Sequence, residues 1–271
     1  MDFNPNYQYL LAKKRREGSD KQFARISEVQ RLARSAAVAA NCEPVPTELN
    51  KLSRSLGVAE IREVPLAMRG RLLHENGRFV IEVNSDLSHY DKRQTIAHEL
   101  GHLLVEKDTL LRVPNRSERA QTSCTIKHGE LEKLCDAAAA EILVPLRWLE
   151  EAVWKKHVSL ILVKILAEQT DTNVETIAAR LLEESLWRCR FVFWKTSRDA
   201  LSATKSYPYL DDVTLAWMEP EGGMRSLLEE CVRKKCFVQG EETVKISGES
   251  YRYKIQCVPL DDTHIVSLLQ A

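Results

Sequence analysis

The chain has 271 residues, room for more than one domain, and its 44% hydrophobic and 29% charged residues are the balance of a globular protein. Lys plus Arg and Asp plus Glu number 39 each, so the formal net charge is zero, which excludes a bulk electrostatic attraction to nucleic acid or to an anionic membrane. No apolar run approaches the ~18 residues of a membrane span, and the N-terminus lacks an apolar core followed by a small-residue cleavage site. Seven scattered cysteines without a CxxC pair suit reduced thiols, so a cytoplasmic protein with no membrane contact is expected.

Residues 1–20 are polar and basic and read as a tail. From Lys21 to about Ala40, Ile26, Val29, Leu32, Ala33 and Ala36 recur at helical spacing. A second helix follows the prolines of "PVPTELNKLSRSLGV", with Thr47 as N-cap and Gly57 as its stop. The period then changes: Asn76-Gly77 between two extended runs predicts a hairpin with strands Gly70–His74 and Arg78–Val83. Ser88 can cap a helix over about Tyr90–Val105. Residues 108–129 read as an irregular excursion, a helix resumes near Glu130 and ends at Pro145, and residues 146–155 form an amphipathic piece. Residues 158–187 read as two helices broken at Thr170–Asn173. Beyond Trp187 the strands "RCRFVFWKTS", "DVTLAWME", "CFVQGEETVKI", "YRYKIQCVPL" and "THIVSLLQ" follow, with one helix near residues 224–235.

The chemistry concentrates in "TIAHELGHLLVE". Positions four apart share one helical face, so His98 and His102 can direct two ring nitrogens at one point, as a divalent zinc ion requires. Glu99, on the adjoining flank, suits a general base acting on water activated by that ion. This is the HExxH pattern of metallopeptidases. A third protein ligand is sought downstream in "EKLCDAAAAEILVP". There Glu132 and Asp136 are again one turn apart: Glu132 would complete a His2Glu set, and Asp136 would accept the free ring N–H of a ligand histidine, most simply His98. Ala137–Ala140 would let the two helices approach closely. Glu130, Glu141 and His128 compete for the ligand role, although Glu141 lies on the opposite side of the helix from Glu132.

These two stretches resemble the ImmA/IrrE family of metallo-endopeptidases over roughly Glu60–Trp187. "GRFVIEVNSDLSHYDKRQTIAHELGHLL" is similar to the family's strand and AHELGH helix. "EKLCDAAAAEILVP" is similar to its second motif, with Glu132 at the third-ligand place, Asp136 at the Asn/Asp place, and Cys135 and Ala138 departing from the usual Ala and Phe. The resemblance implies an α+β, zincin-like fold, zinc or manganese as cofactor, and cleavage of an Xre-type helix-turn-helix repressor in a stress, DNA-damage or mobile-element response. The alternative is a DNA- or partner-binding regulator with a structural metal.

In this reading residues 21–155 are the peptidase domain. Residues 156–188 form a helix-turn-helix-like module, in which DNA binding is not favoured because its front offers only Asn173, Glu175, Thr176 and Arg180. Residues 189–271 form a sensor-like or interaction domain, with a GAF type in view. The hairpin supplies a strand for an extended substrate, through Gly70 and Arg71 or through Arg78 and Val80, and Arg69, Arg71 and Arg78 could grip acidic groups. Tyr90 and His128 are candidates for stabilising the transition state.

Overall fold

A computed structural model describes residues 20–42, 45–107, 128–196, 201–207, 222–246 and 249–270. The expected tail, the excursion over residues 108–127 and the strand "DVTLAWME" lie outside the described residues. The architecture is α+β, with two sheets among the described residues. No helix among them is long and apolar enough to cross a membrane. The cysteines among them, Cys42, Cys135, Cys189, Cys231, Cys236 and Cys257, are free thiols. The chain forms two compact units, residues 1–148 with 168–173, and residues 149–167 with 174–271.

In the first unit, helix α1 (Asp20–Ala39) buries Val29, Ala33 and Ala37, each four residues after the last, which makes one apolar stripe. Helix α2 (Leu49–Ser55) starts after Glu48 with no side-chain cap. Thr47 is not the cap expected of it: it is buried, and its hydroxyl donates to the carbonyl of Ile142 at 2.6 Å, a tertiary bond that outweighs the local one. Gly57 ends the helix as expected, at φ +85°, a conformation other residues adopt at a steric cost.

Three strands follow: β1 (Val58–Val64), β2 (Gly70–Glu75) and β3 (Arg78–Asn84), in the order β1-β3-β2. The hairpin closes through Asn76 and Gly77, both at positive φ, so that Glu75 faces Arg78. β1 joins β3 in parallel. Sequence patterning missed this strand, because most of its residues are polar or exposed. Placing β3 in the middle explains its run of four buried residues, Val80–Val83.

Helix α3 (His89–Lys107) begins after Ser88, whose hydroxyl accepts the Asp91 amide at 3.2 Å, the expected cap. Helix α4 (His128–Leu143) lies against it. The crossing is close at Gly101, where a Cβ would stand 2.8 Å from the carbonyl oxygen of Cys135, 2.9 Å from its Cα and 3.2 Å from Ala138 Cβ. Glu141, weighed as a ligand, is buried instead: it lies 3.5 Å from the Arg34 guanidinium and accepts the Leu146 amide at the start of helix α5 (Leu146–Val153).

In the second unit, helices α6 (Leu160–Thr170, whose last three residues belong to the first unit) and α7 (Val174–Glu183) group with a sheet. Strands β4 (Arg190–Thr196), β5 (Leu201–Tyr207), β6 (Val238–Ile246), β7 (Glu249–Pro259) and β8 (His264–Gln270) are all antiparallel, in the order β5-β4-β8-β7-β6. Helix α8 (Gly222–Lys234) lays Met224, Leu228 and Cys231 on Val192, Trp194, Ile255, Cys257 and Leu269. The buried Trp194 indole donates to Ser267 Oγ at 2.8 Å.

The α3–α4 crossing gives a stability test. Gly101→Ala is expected to cost about 1–3 kcal/mol in urea unfolding, because backbone rather than a flexible tip blocks the new methyl. Gly129→Ala, where a Cβ meets nothing within 4 Å, should be near neutral or slightly stabilising.

Candidate metal centre

One turn of α3 places the His98 and His102 rings side by side, their centroids 5.0 Å apart and their planes at 75°. Across the helix contact, Glu132 on α4 brings Oε2 to 3.2 Å from His98 Nε2 and Oε1 to 3.9 Å from His102 Nε2. Asp136, one turn further, puts Oδ1 2.9 Å from His98 Nδ1. The structure thus brings together the four residues in which the sequence placed the ligands and their support. With Nδ1–H donated to Asp136, the lone pair of His98 stays on Nε2, facing Glu132.

The donor set fits a divalent cation. Two imidazole nitrogens and a carboxylate oxygen converge, and the remaining nitrogen of one imidazole is held by a second carboxylate. Cys135, a departure from the Ala usual in the resembled family, adds a donor: its Sγ and one ring nitrogen each of His98 and His102 all lie within 4.8 Å of one another. Of the rival ligands, Glu130 is held by Arg25 at 2.6 Å and Glu141 is buried against Arg34. The His128 side chain lies outside the described residues.

Glu99 is buried beside the cluster. Burial pushes its carboxyl above the usual value; the His98 charge pulls it down, the Glu132 charge adds to the rise, and a hydrogen bond from the Leu72 backbone opposes it. That last contact ties the carboxylate to β2. Gly70 makes the approach feasible, since a Cβ there would meet Thr95 Cγ2 at 2.4 Å and the Glu82 carbonyl at 2.9 Å, with Glu99 Oε1 at 3.7 Å.

The strand order decides between the two substrate strands that the sequence left open. β3 has neighbours on both sides, so Arg78 and Val80 do not lie on a free edge; β2 is the edge. The two-residue turn makes Glu75 and Arg78 a bonded pair, which directs the backbones of Arg71 and Leu73 at β3 and those of Gly70, Leu72 and His74 away from it. The backbone expected from Arg71 is therefore engaged by β3, and Leu72, which sequence reasoning missed, faces the site. Carboxylates already hold two of the arginines assigned to acidic substrate groups: Arg71 pairs with Glu82 at 2.7 Å and Arg69 with Asp91 at 2.5 Å.

Tyr90 lies two turns before His98, exposed, its ring against His89 at 5.5 Å, and no described contact joins it to the imidazole pair. His89 itself pairs with Asp171 at 2.8 Å, and Tyr207 donates to Glu175 at 2.9 Å.

His98 gives a titration test. In the metal-free protein burial opposes its charge, yet the hydrogen bond and charge of Asp136, with the charges of Glu99 and Glu132, hold its pKa above 6.5. A raised folded-state value means that this proton stabilises the fold fully below the unfolded imidazole value, and the contribution is lost as pH rises through the folded one. Asp136→Asn should lower the His98 pKa in an NMR titration of metal-free protein and shrink that pH dependence; an unmoved titration would exclude the Asp136 contact.

With this geometry in place, residues 55–182 match the family described as Peptidase M78, IrrE N-terminal-like domain. No curated protein matches the chain. Among solved structures, a Mycobacterium tuberculosis transcriptional regulator is similar at 16% identity and a TM-score of 0.48, over 89% of this chain and 87% of that one.

Proposed function

We propose that the protein is a metal-dependent endopeptidase whose substrate is an Xre-type helix-turn-helix repressor, a reading that starts from the match of residues 55–182 to the family described as Peptidase M78, IrrE N-terminal-like domain. The observation that carries the reading is the meeting of His98, His102 and Glu132 across two helices, with the buried Glu99 carboxylate at the edge strand. His98, His102 and Glu132 would hold zinc, or manganese in its place, and that ion would supply the Lewis acidity that polarises a scissile carbonyl and acidifies the attacking water.

The protein's own groups do the rest. Asp136 fixes the His98 ring and its tautomer. Glu99 accepts the proton of the attacking water and passes it to the leaving amine; desolvation, which makes its carboxylate more basic, favours the first transfer. The outward-facing backbone of β2 pairs with an extended substrate segment and sets its carbonyl near the site. Loss of the repressor would relieve repression in a stress, DNA-damage or mobile-element response in the cytoplasm, and the second unit, with its sheet and covering helix, would serve as the sensor-like or interaction domain, for which a GAF type is one candidate.

The other reading, a regulator that binds DNA or a partner around a structural metal, draws less support. Arg180, the basic residue expected on the recognition face, is buried and pairs with Glu184 at 2.5 Å, while Glu175 bonds Lys205 and Tyr207.

The test is incubation with the helix-turn-helix protein encoded beside this one, with and without chelator, and mass spectrometry of the fragments. Wild-type protein should yield one set of cuts that chelation abolishes. Glu99→Gln should keep the bound metal and lose at least about 100-fold in cleavage rate, since it removes the base and no ligand. Wild-type rates from Glu99→Gln would remove Glu99 from this role.

A further inference from the structure

Cys135 follows Glu132 by three residues on α4, so the two side chains leave the helix on the same side. Its side chain is fully buried. Its backbone forms the surface on which Gly101 rests, with the carbonyl and Cα 2.8 and 2.9 Å from where a Gly101 Cβ would be. This contact holds the sulfur close to the imidazole pair, with Sγ and one ring nitrogen of each histidine mutually within 4.8 Å. Glu132 reaches the Nε2 atoms of the two rings, at 3.2 and 3.9 Å.

The geometry points to Cys135 Sγ as a fourth protein donor of the metal centre, bound as thiolate beside His98, His102 and Glu132. The inference rests on the metal-site reading above and deepens it. Three protein donors leave a position open for water, as a hydrolytic site needs, whereas four close a tetrahedral site. With the sulfur in place the centre would be latent. Cys135 would hold the ion as thiolate, its thiol proton passing to solvent, and would take a proton back when it lets go. Thiolate with imidazole is also a softer set than imidazole with carboxylate, which favours zinc over manganese.

Cobalt(II) added to the metal-free full-length chain is the probe, because thiolate ligation gives a near-ultraviolet sulfur-to-cobalt charge-transfer band that nitrogen and oxygen donors do not. The expected result is one bound equivalent, with a band that is lost in Cys135→Ala and kept in Cys236→Ser, the control for the exposed thiol. Cys135→Ala should also lower the preference for zinc over manganese at least about tenfold in competition titrations. Cobalt binding at one equivalent without the band, or with a band that survives in Cys135→Ala, overturns the ligand role of Cys135 and leaves the metal centre standing. Failure of the folded wild-type chain to bind cobalt at all overturns the metal centre and this inference with it. Should Cys135→Ala not fold, Cys135→Ser replaces it, and the presence or absence of the wild-type band still decides.

Discussion

The close approach of α3 and α4 at Gly101 is the constraint on which the rest of the first unit depends. The glycine sits between the two histidines in sequence, and the α4 backbone at Cys135 occupies the space where its side chain would be. Only at that separation can the short carboxylates of α4 reach rings carried by α3. Glu132 then spans both Nε2 atoms and Asp136 takes the opposite nitrogen of His98. A wider gap would place water between them and turn a set of convergent donors into two solvated helix faces.

Much of this was legible in the sequence because it is periodic. Helical spacing placed α1, the Ser88 cap began α3 and Pro145 ended α4, and the four-residue spacing of His98 with His102, and of Glu132 with Asp136, put each pair on one face before any contact between the helices was known. The Asn76-Gly77 turn fixed the hairpin, because both residues tolerate positive φ. What was not legible depended on partners distant in the chain. β1 is short and largely exposed, and its parallel pairing with β3 converts one hairpin arm into an internal strand and leaves β2 as the edge. Thr47 has the chemistry of a cap, and only the Ile142 carbonyl, far along the chain, shows why it is not one. Cys135 stood out in the sequence only as a departure from the Ala usual in the resembled family, while the sulfur's distance to the imidazoles is a property of the helix crossing.

The second unit shows the same division between pattern and partner. The helix after the Thr170–Asn173 break was recognisable, but not that Arg180 turns inward to Glu184 while Glu175 is engaged by Lys205 and Tyr207 of β5. A face that looks available in sequence is here committed to folding. The sheet is covered on one side by α8, where Met224, Leu228 and Cys231 meet Trp194 and its neighbours. Residues of the opposite register, Phe191, Phe193, Val266 and Leu268, are buried as well, so the sheet is a filling rather than a surface.

The hydrogen bond from the Leu72 amide to Glu99 ties two roles that are usually discussed apart. The carboxylate is braced by the same strand whose outer margin faces an incoming chain. A polypeptide can extend that margin only while it is itself stretched out, so a helical target would first have to melt over the few residues that dock. Discrimination would then fall less on the side chains flanking the cut than on how easily each region of the target gives up its own fold.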